Sequence, residues 1–286
     1  MSPSHRFAAI VLTIASSSSA QEPQPDAPAG FQYPLAVAAD KDGVVYVVDR
    51  NLPGVWKVTD GKAEVFFQGS KQFRTPLNAP RCIAIDGDGN VYVGDSATRE
   101  VYRFSGDGKP EPLTSGTIGI PSAMTIDDEG TIFVADLEAH RIWSLPKNGL
   151  KEGEEPKEVA VIAGVRGLAF DAEGKLLAVT TLEDPIRRIG DDGKIEVVVK
   201  GRPFELPHQL VVGKDGTLYV ADNYASTIWK VPADGGEPSP LLKGDPLVKP
   251  VGLANRGDDL LVADPHAKAV FVVTPEGKAT PLVGAK

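Results

Sequence analysis

An all-β chain folded as a six-bladed β-propeller of four-stranded antiparallel blades is what three observations predict. A hairpin signature recurs six times along 286 residues, the spacing between recurrences lies in the forties, and inside each unit the turn, the strand end and an aromatic keep their phase. Thirty glycines and 24 prolines suit a chain rich in turns, and 42% hydrophobic residues suffice for a sizeable core. No long amphipathic helical pattern interrupts the series.

The hairpins read DKDGVVYVVD (40–49), DGDGNVYVGD (86–95), DDEGTIFVAD (127–136), DAEGKLLAVT (171–180), GKDGTLYVAD (213–222) and, one residue shorter, NRGDDLLVAD (255–264). The second opens like an EF-hand loop, with Asp86, Asp88 and Asn90 at positions 1, 3 and 5. Position 6 is Val91 in place of the required glycine, and position 12 is Ala97 in place of the bidentate glutamate. A turn explains the stretch better. Gly43, Gly89, Gly130, Gly174 and Gly216 hold one phase while the carboxylates come and go, as expected where the backbone needs a positive φ between two apolar runs.

Units open at Pro34, Pro80, Pro121, Val165, Pro207 and Pro250, spaced by 46, 41, 44, 42 and 43 residues. The second strand ends 15 residues after the opening in five units and 14 in the last, at Asp49, Asp95, Asp136, Thr180, Asp222 and Asp264. Seven residues further stand Trp56, Tyr102, Trp143, Arg187, Trp229 and Phe271, each inside a third strand such as GVWKV or TIWKV, and a fourth follows, as in AEVFFQ and IEVVV. A single four-stranded blade cannot bury both of its faces, so neighbours must stack on it, and the aromatic row is read as packing. Phe31, Gln32 and Tyr33 are candidates for a closing piece of the ring.

The first 20 residues differ in kind. A basic start (His5, Arg6), a short apolar run (Phe7 to Ala15) and Ser18-Ser19-Ala20 before Gln21 predict a secretory signal peptide cleaved near Ala20, too short to span a bilayer. Residues 21–30 (QEPQPDAPAG) read as a Pro-rich linker and 31–286 as the propeller. An exported protein, periplasmic or secreted, is expected. Its one cysteine, Cys82, precludes an intrachain disulfide and sits in an apolar run as a core thiol. A net charge of −9 argues against nucleic acid and anionic membranes as partners, and a monomer is expected.

The pattern P-x-x-(I/L/A)-A-(I/V/F)-D-x-x-G-x-(L/V/I)-(Y/F)-V-A-D, followed by a loop such as EAHRIW, resembles the NHL repeat over residues 34–286. Proteins with such repeats and their propeller relatives include secreted binding modules, sensor domains, the amidating lyase of peptide hormones, gluconolactonases and streptogramin lyases, so the resemblance implies a fold more than a function.

A site is expected at the channel mouth, where the loops into strand one and from strand two to strand three converge. The residue after each opening position looks into that mouth: Leu35, Arg81, Ser122, Arg166, His208 and Val251. The lactonases that the chain resembles carry Asn and Asp metal ligands at such positions, whereas two guanidinium groups here would repel a divalent cation. The amidating lyase holds zinc with histidines, and His140, His208 and His266 come from unlike places in the repeat. No cofactor and no metal ligand is therefore assigned, and no catalytic residue, since no nucleophile and base stand out. Arg81, Ser122, Arg166, His208 and Gln209 are the expected ligand-binding residues, for a small anionic molecule, a peptide or a protein. Pairing of these arginines with the aspartate row is the competing structural role. The alternative function is a lyase or lactonase using one calcium or zinc ion. Blade four departs twice from the pattern, with Thr180 for the aspartate and Arg187 for the aromatic.

Overall fold

The computed structural model describes residues 30–105 and 108–283. The predicted signal peptide and all but the last residue of the predicted linker lie outside the described residues. What is described is an all-β, six-bladed β-propeller, each blade four antiparallel strands paired in sequence order. Blade one holds β1 (Pro34–Ala39), β2 (Val45–Asp49), β3 (Gly54–Thr59) and β4 (Lys62–Gln68); blade two holds β5 (Pro80–Ile85), β6 (Val91–Asp95), β7 (Glu100–Phe104) and β8 (Pro110–Pro112). Blade three consists of β9 (Pro121–Ile126), β10 (Ile132–Asp136), β11 (Arg141–Leu145) and β12 (Lys157–Val161). Blade four follows with β13 (Val165–Phe170), β14 (Leu176–Thr180), β15 (Ile186–Ile189) and β16 (Ile195–Val199). Blade five is built from β17 (Pro207–Val212), β18 (Leu218–Asp222), β19 (Thr227–Val231) and β20 (Ser239–Lys243). Blade six closes the series with β21 (Gly252–Arg256), β22 (Asp259–Asp264), β23 (Ala269–Val273) and β24 (Ala279–Pro281). Among the described residues no helix is long and apolar enough to cross a membrane.

The first strands line the axis, each touching the next from β1 through β5, β9, β13, β17 and β21 back to β1. The second strands are the most buried, and β2, β6 and β14 are buried at every position. A strand shut in on both faces reads as a continuous apolar run, which is why VYVVD and LLAVT lack alternation. Six apolar clusters fill the spaces between neighbouring blades. One of them joins blade one to blade six across the chain ends, with Val37, Val47 and Trp56 against Leu261, Ala263 and Val270. Phe31 packs into that seam edge-on to Trp56, at 5.9 Å between ring centroids. Residues 31–33 form no strand, so the ring closes by face packing, and blade six takes all four strands from the C-terminal end of the described chain.

The stretch DGDGN is a turn. Asp86 Oδ1 accepts the N–H groups of Asp88 and Asn90, and Gly89 has φ +85°. Asp40, Asp127 and Asp171 close their hairpins with the same pair of bonds, which explains why an aspartate opens the turn.

The aspartates that end the second strands have a different task. Asp49, buried completely, accepts from the N–H groups of Gln32, Tyr33, Asn51 and Leu52 and from the indole Nε1 of Trp56 at 3.3 Å. Asp222 does the same with Glu205, Leu206, Ala225 and Trp229 Nε1. One carboxylate thus ties the loop entering strand one to the loop leaving strand two, and the seven-residue spacing to tryptophan brings an N–H donor to it. In blade four Thr180 keeps only one such bond, its Oγ1 accepting from Leu182 N at 3.3 Å. Asp184 Oδ1 accepts from Gly201 N at 2.7 Å, a different contact, while Arg187 donates to the carbonyls of Asp184 and Glu183.

Candidate functional site

A β-bulge at the start of the first strand sets the geometry of the mouth. In blades one, two and four the pairing runs from Pro34, Pro80 and Val165 directly to Ala36, Cys82 and Gly167, leaving Leu35, Arg81 and Arg166 without a partner residue opposite. In blade five the interruption lies between Pro207 and Leu210 and covers His208 and Gln209. An extra residue in one strand bends it and re-aims a side chain, here toward the axis. The recurrent 15-residue interval is thus a bulged hairpin arm.

Leu35, Arg81, Ser122, Arg166, His208, Gln209 and Val251 all line one cavity of about 100 Å³ at the mouth of the channel. The five residues expected from the sequence are therefore brought together. Arg81 and Arg166 are half-buried, and among the described residues neither makes an ion pair. The aspartate row forms no ion pair with them, its carboxylates accepting main-chain N–H groups, although the Asp95 charge acts on Arg81 from a distance. Arg81 donates from Nε to Ser96 Oγ at 2.8 Å, and Ser96 donates onward to the carbonyl of Ala79. Arg166 Nε is buried with no hydrogen-bond partner among the described residues, and so is Gln209 Oε1. Burial lowers the pKa of both guanidinium groups from the usual value, with Arg50 and Arg166 adding to the effect at Arg81, yet arginine stays charged at any physiological pH.

His208 is held down to about 4, first by burial and then by the Arg166 charge, against a smaller opposite pull from Asp222. At neutral pH it is an uncharged imidazole with one acceptor and one donor nitrogen. Ser122 is less available than its position suggests: its hydroxyl donates toward the carbonyls of Val165 (2.8 Å) and Ala135 (3.1 Å), so it offers a ligand only acceptor lone pairs. Gln209 lies across Gly167, where a Cβ would stand 2.3 Å from Gln209 Oε1 and 2.9 Å from His208 O. Only glycine lets β13 and β17 approach so closely. Cys82 lines the same cavity but is buried, with burial pushing its thiol up to about 12.

Sequence reasoning missed Arg50 and Ser96. Each stands one residue after an aspartate of the repeat, a phase in which the residue type varies from blade to blade. The three histidines of the zinc alternative are not gathered: His140 lies in the β10–β11 loop, and His266 lies in the β22–β23 loop with its ring 6.2 Å from that of Tyr33. Among the described residues no group of three or more His, Cys, Asp or Glu side chains is arranged to hold an ion. A neutral imidazole, an amide and two guanidinium groups that form no ion pair among the described residues share this half-enclosed space, and guanidinium forks match carboxylate and phosphate geometry.

No protein-family model matches the chain. Over 231 residues it is 29% identical to peptidyl-glycine alpha-amidating monooxygenase B of Xenopus laevis, a match covering 70% of this chain and 26% of the relative. The chain thus spans about a quarter of that relative's length. Similar solved structures include virginiamycin B lyase from Staphylococcus aureus (TM-score 0.65, 17% identity, 89% of this chain and 85% of that one). The gluconolactonase XC5397 from Xanthomonas campestris superposes with TM-score 0.69 at 16% identity, over 85% and 86% of the two chains. A chain of a nidogen/laminin complex reaches TM-score 0.69 at 20% identity, over 82% and 91%. These likenesses establish the six-bladed propeller and nothing finer.

Proposed function

We propose that this chain is an exported propeller of the NHL-repeat type whose channel mouth binds a small molecule or chain end bearing a carboxylate or phosphate. The observation that carries the reading is the pair Arg81 and Arg166, half-buried at one cavity with no carboxylate beside them. An unpaired buried cation is costly, and fold requirements alone do not explain two of them across three neighbouring blades. A ligand oxyanion bridging both forks would supply the missing charge, with His208 and Gln209 completing its hydrogen bonds.

A second reading, a lyase or lactonase on the same scaffold, is favoured by one observation. His208 at the pocket stays neutral at physiological pH and so offers an acceptor nitrogen, although a value of about 4 makes it a weak base. The frog relative is named for peptidyl-glycine, a chain end that carries a carboxylate, which is the ionic chemistry the arginines would hold. Under this reading Arg166 orients the substrate and His208 takes its proton, and the residues at the mouth do not fit the calcium or zinc ion expected of such an enzyme.

Thermal unfolding with citrate and with inorganic phosphate tests the binding reading. The midpoint of the unmodified chain should rise with either anion, because a ligand that binds only the folded state stabilises it by mass action. Arg81→Ala/Arg166→Ala should lose that response. Equal responses in both proteins would overturn the assignment of the site.

A further inference from the structure

The two ends of the propeller differ in charge far more than the total of −9 suggests. The loops that join strand one to two and strand three to four, leaving aside that between β7 and β8, carry 20 carboxylates against seven lysines. Those at the mouth end carry eight lysines and arginines against five carboxylates, besides Arg81 and Arg166. The aspartate row lies at the mouth end too, but its carboxylates are buried and turned inward to the N–H groups that they accept. Exposed apolar side chains follow the same division. Phe73, Val161, Leu182, Tyr224 and Val248 are at the mouth end, and of the large exposed hydrophobics among the described residues only Ile195 is at the other.

Charges at the mouth end are unevenly distributed. Four of the five carboxylates, Glu138, Glu183, Asp184 and Glu205, belong to blades three and four and the loop into blade five, where Lys200 and Arg202 also stand, and the fifth, Asp245, is in the loop into blade six. A basic crescent runs the other way round the ring, from Lys249 through Lys268 and Arg50 to Lys71 and Arg74. Each end of the crescent carries an exposed aromatic under a cation. Lys249 Nζ stands 4.7 Å from the ring centre of Tyr224, which is 61% exposed, and the Arg74 guanidinium stands 5.2 Å from that of Phe73, which is 85% exposed. Both ends are built features. Asn223 Nδ2 and Ser226 Oγ donate to the carbonyls of Lys249 and Val248, and the loop bearing Phe73 is held by Thr75 Oγ1 donating to Gln72 O and by Asn78 Nδ2 donating to the same carbonyl.

We propose that this crescent is the docking surface for an acidic polypeptide segment of a partner protein, its carboxylates on the crescent cations and its apolar side chains on Phe73 and Tyr224. Charge complementarity selects the partner: the opposite end repels an acidic chain, so approach is steered to the mouth. An extended chain can follow the crescent and avoid the carboxylates of blades three and four, whereas a flat anionic bilayer would be pressed against both. The surface does not depend on the pocket of Arg81 and Arg166.

The test uses a fluorescent synthetic peptide alternating glutamate with leucine, titrated at low salt into the full chain. Saturable binding that weakens steadily with added salt is expected. Arg74→Glu/Lys249→Glu should weaken it about tenfold or more, Phe73→Ser/Tyr224→Ser should weaken it with the salt dependence kept, and Asp128→Lys at the other end should leave it unchanged. Arg81→Ala/Arg166→Ala should also leave it unchanged, so a failure of the pocket reading and of this one are told apart. All variants are first checked for native circular dichroism. No saturable binding, equal binding by the charge-reversed variant, or cosedimentation with phosphatidylserine vesicles without peptide binding would each overturn the proposal.

Discussion

Two rows of charged residues stand within one strand length of each other at the mouth, and they have opposite fates. The carboxylates of Asp49, Asp95, Asp136, Asp222 and Asp264 recur in nearly every blade, are buried, and accept main-chain N–H groups from the loops on either side. The guanidinium groups of Arg81 and Arg166 occur in only two blades, sit on bulges and find no carboxylate. What repeats holds the ring together, and what varies within the repeat faces the axis. A charge that is internally satisfied belongs to the fold, whereas one that is left open is available to a ligand.

The sharpest way to break this contrast is to remove one member of each row. Asp222→Ala would leave several buried N–H groups without an acceptor, and denaturant unfolding should show a loss of at least about 3 kcal/mol. Arg166→Ala removes an unpaired half-buried cation, so its stability should stay within about 1 kcal/mol of the parent or rise. Similar losses in the two variants would erase the distinction.

Gly167→Ala tests the seam between the two blades that carry the pocket. The added methyl meets Gln209 Oε1 and the His208 carbonyl, so a loss of about 2 kcal/mol is expected together with a weakened anion response. Stability unaltered by the methyl would mean that β17 moves freely, and the pocket would not be pre-organised.

His208 supplies the pH dependence. Its folded value of about 4 lies below the ordinary 6.5, so the unfolded chain binds the extra proton between these limits. The stability linked to this group is intact above about pH 6.5 and is lost as pH falls toward 4, by up to about 3 kcal/mol. His208→Asn should flatten that portion of the stability profile, and an unchanged slope would refute a buried neutral imidazole. A bound anion favours the protonated ring, so binding in calorimetry near pH 5 should take up protons.

The smallest effect separates tryptophans within one row. Trp229 Nε1 donates to Asp222 at 3.2 Å, whereas Trp143 Nε1 is buried without a partner. Trp229→Phe should therefore cost about 1 kcal/mol more than Trp143→Phe in chemical denaturation.

The architecture was legible because each requirement of a blade leaves a mark at fixed spacing: glycine at the hairpin, aspartate at the strand end, tryptophan seven residues on. The mouth row was legible too, since in five of the six blades the residue after the opening position falls on the bulge. Two things were hidden. The commitment of the Ser122 hydroxyl to the Val165 and Ala135 carbonyls depends on contact between blades 43 residues apart, which no local pattern encodes. The polarity of the two ends became visible only when the strand order assigned each loop to a face, because acids and bases alternate too evenly along the chain to be noticed.

The most direct measurement is a crystal soaked in selenate, located by the anomalous scattering of selenium. The account predicts one strong peak at the channel mouth, within hydrogen-bond distance of both Arg81 and Arg166, that vanishes in Arg81→Ala/Arg166→Ala. Selenate bound elsewhere with the mouth empty, or a peak that survives the double substitution, would contradict it.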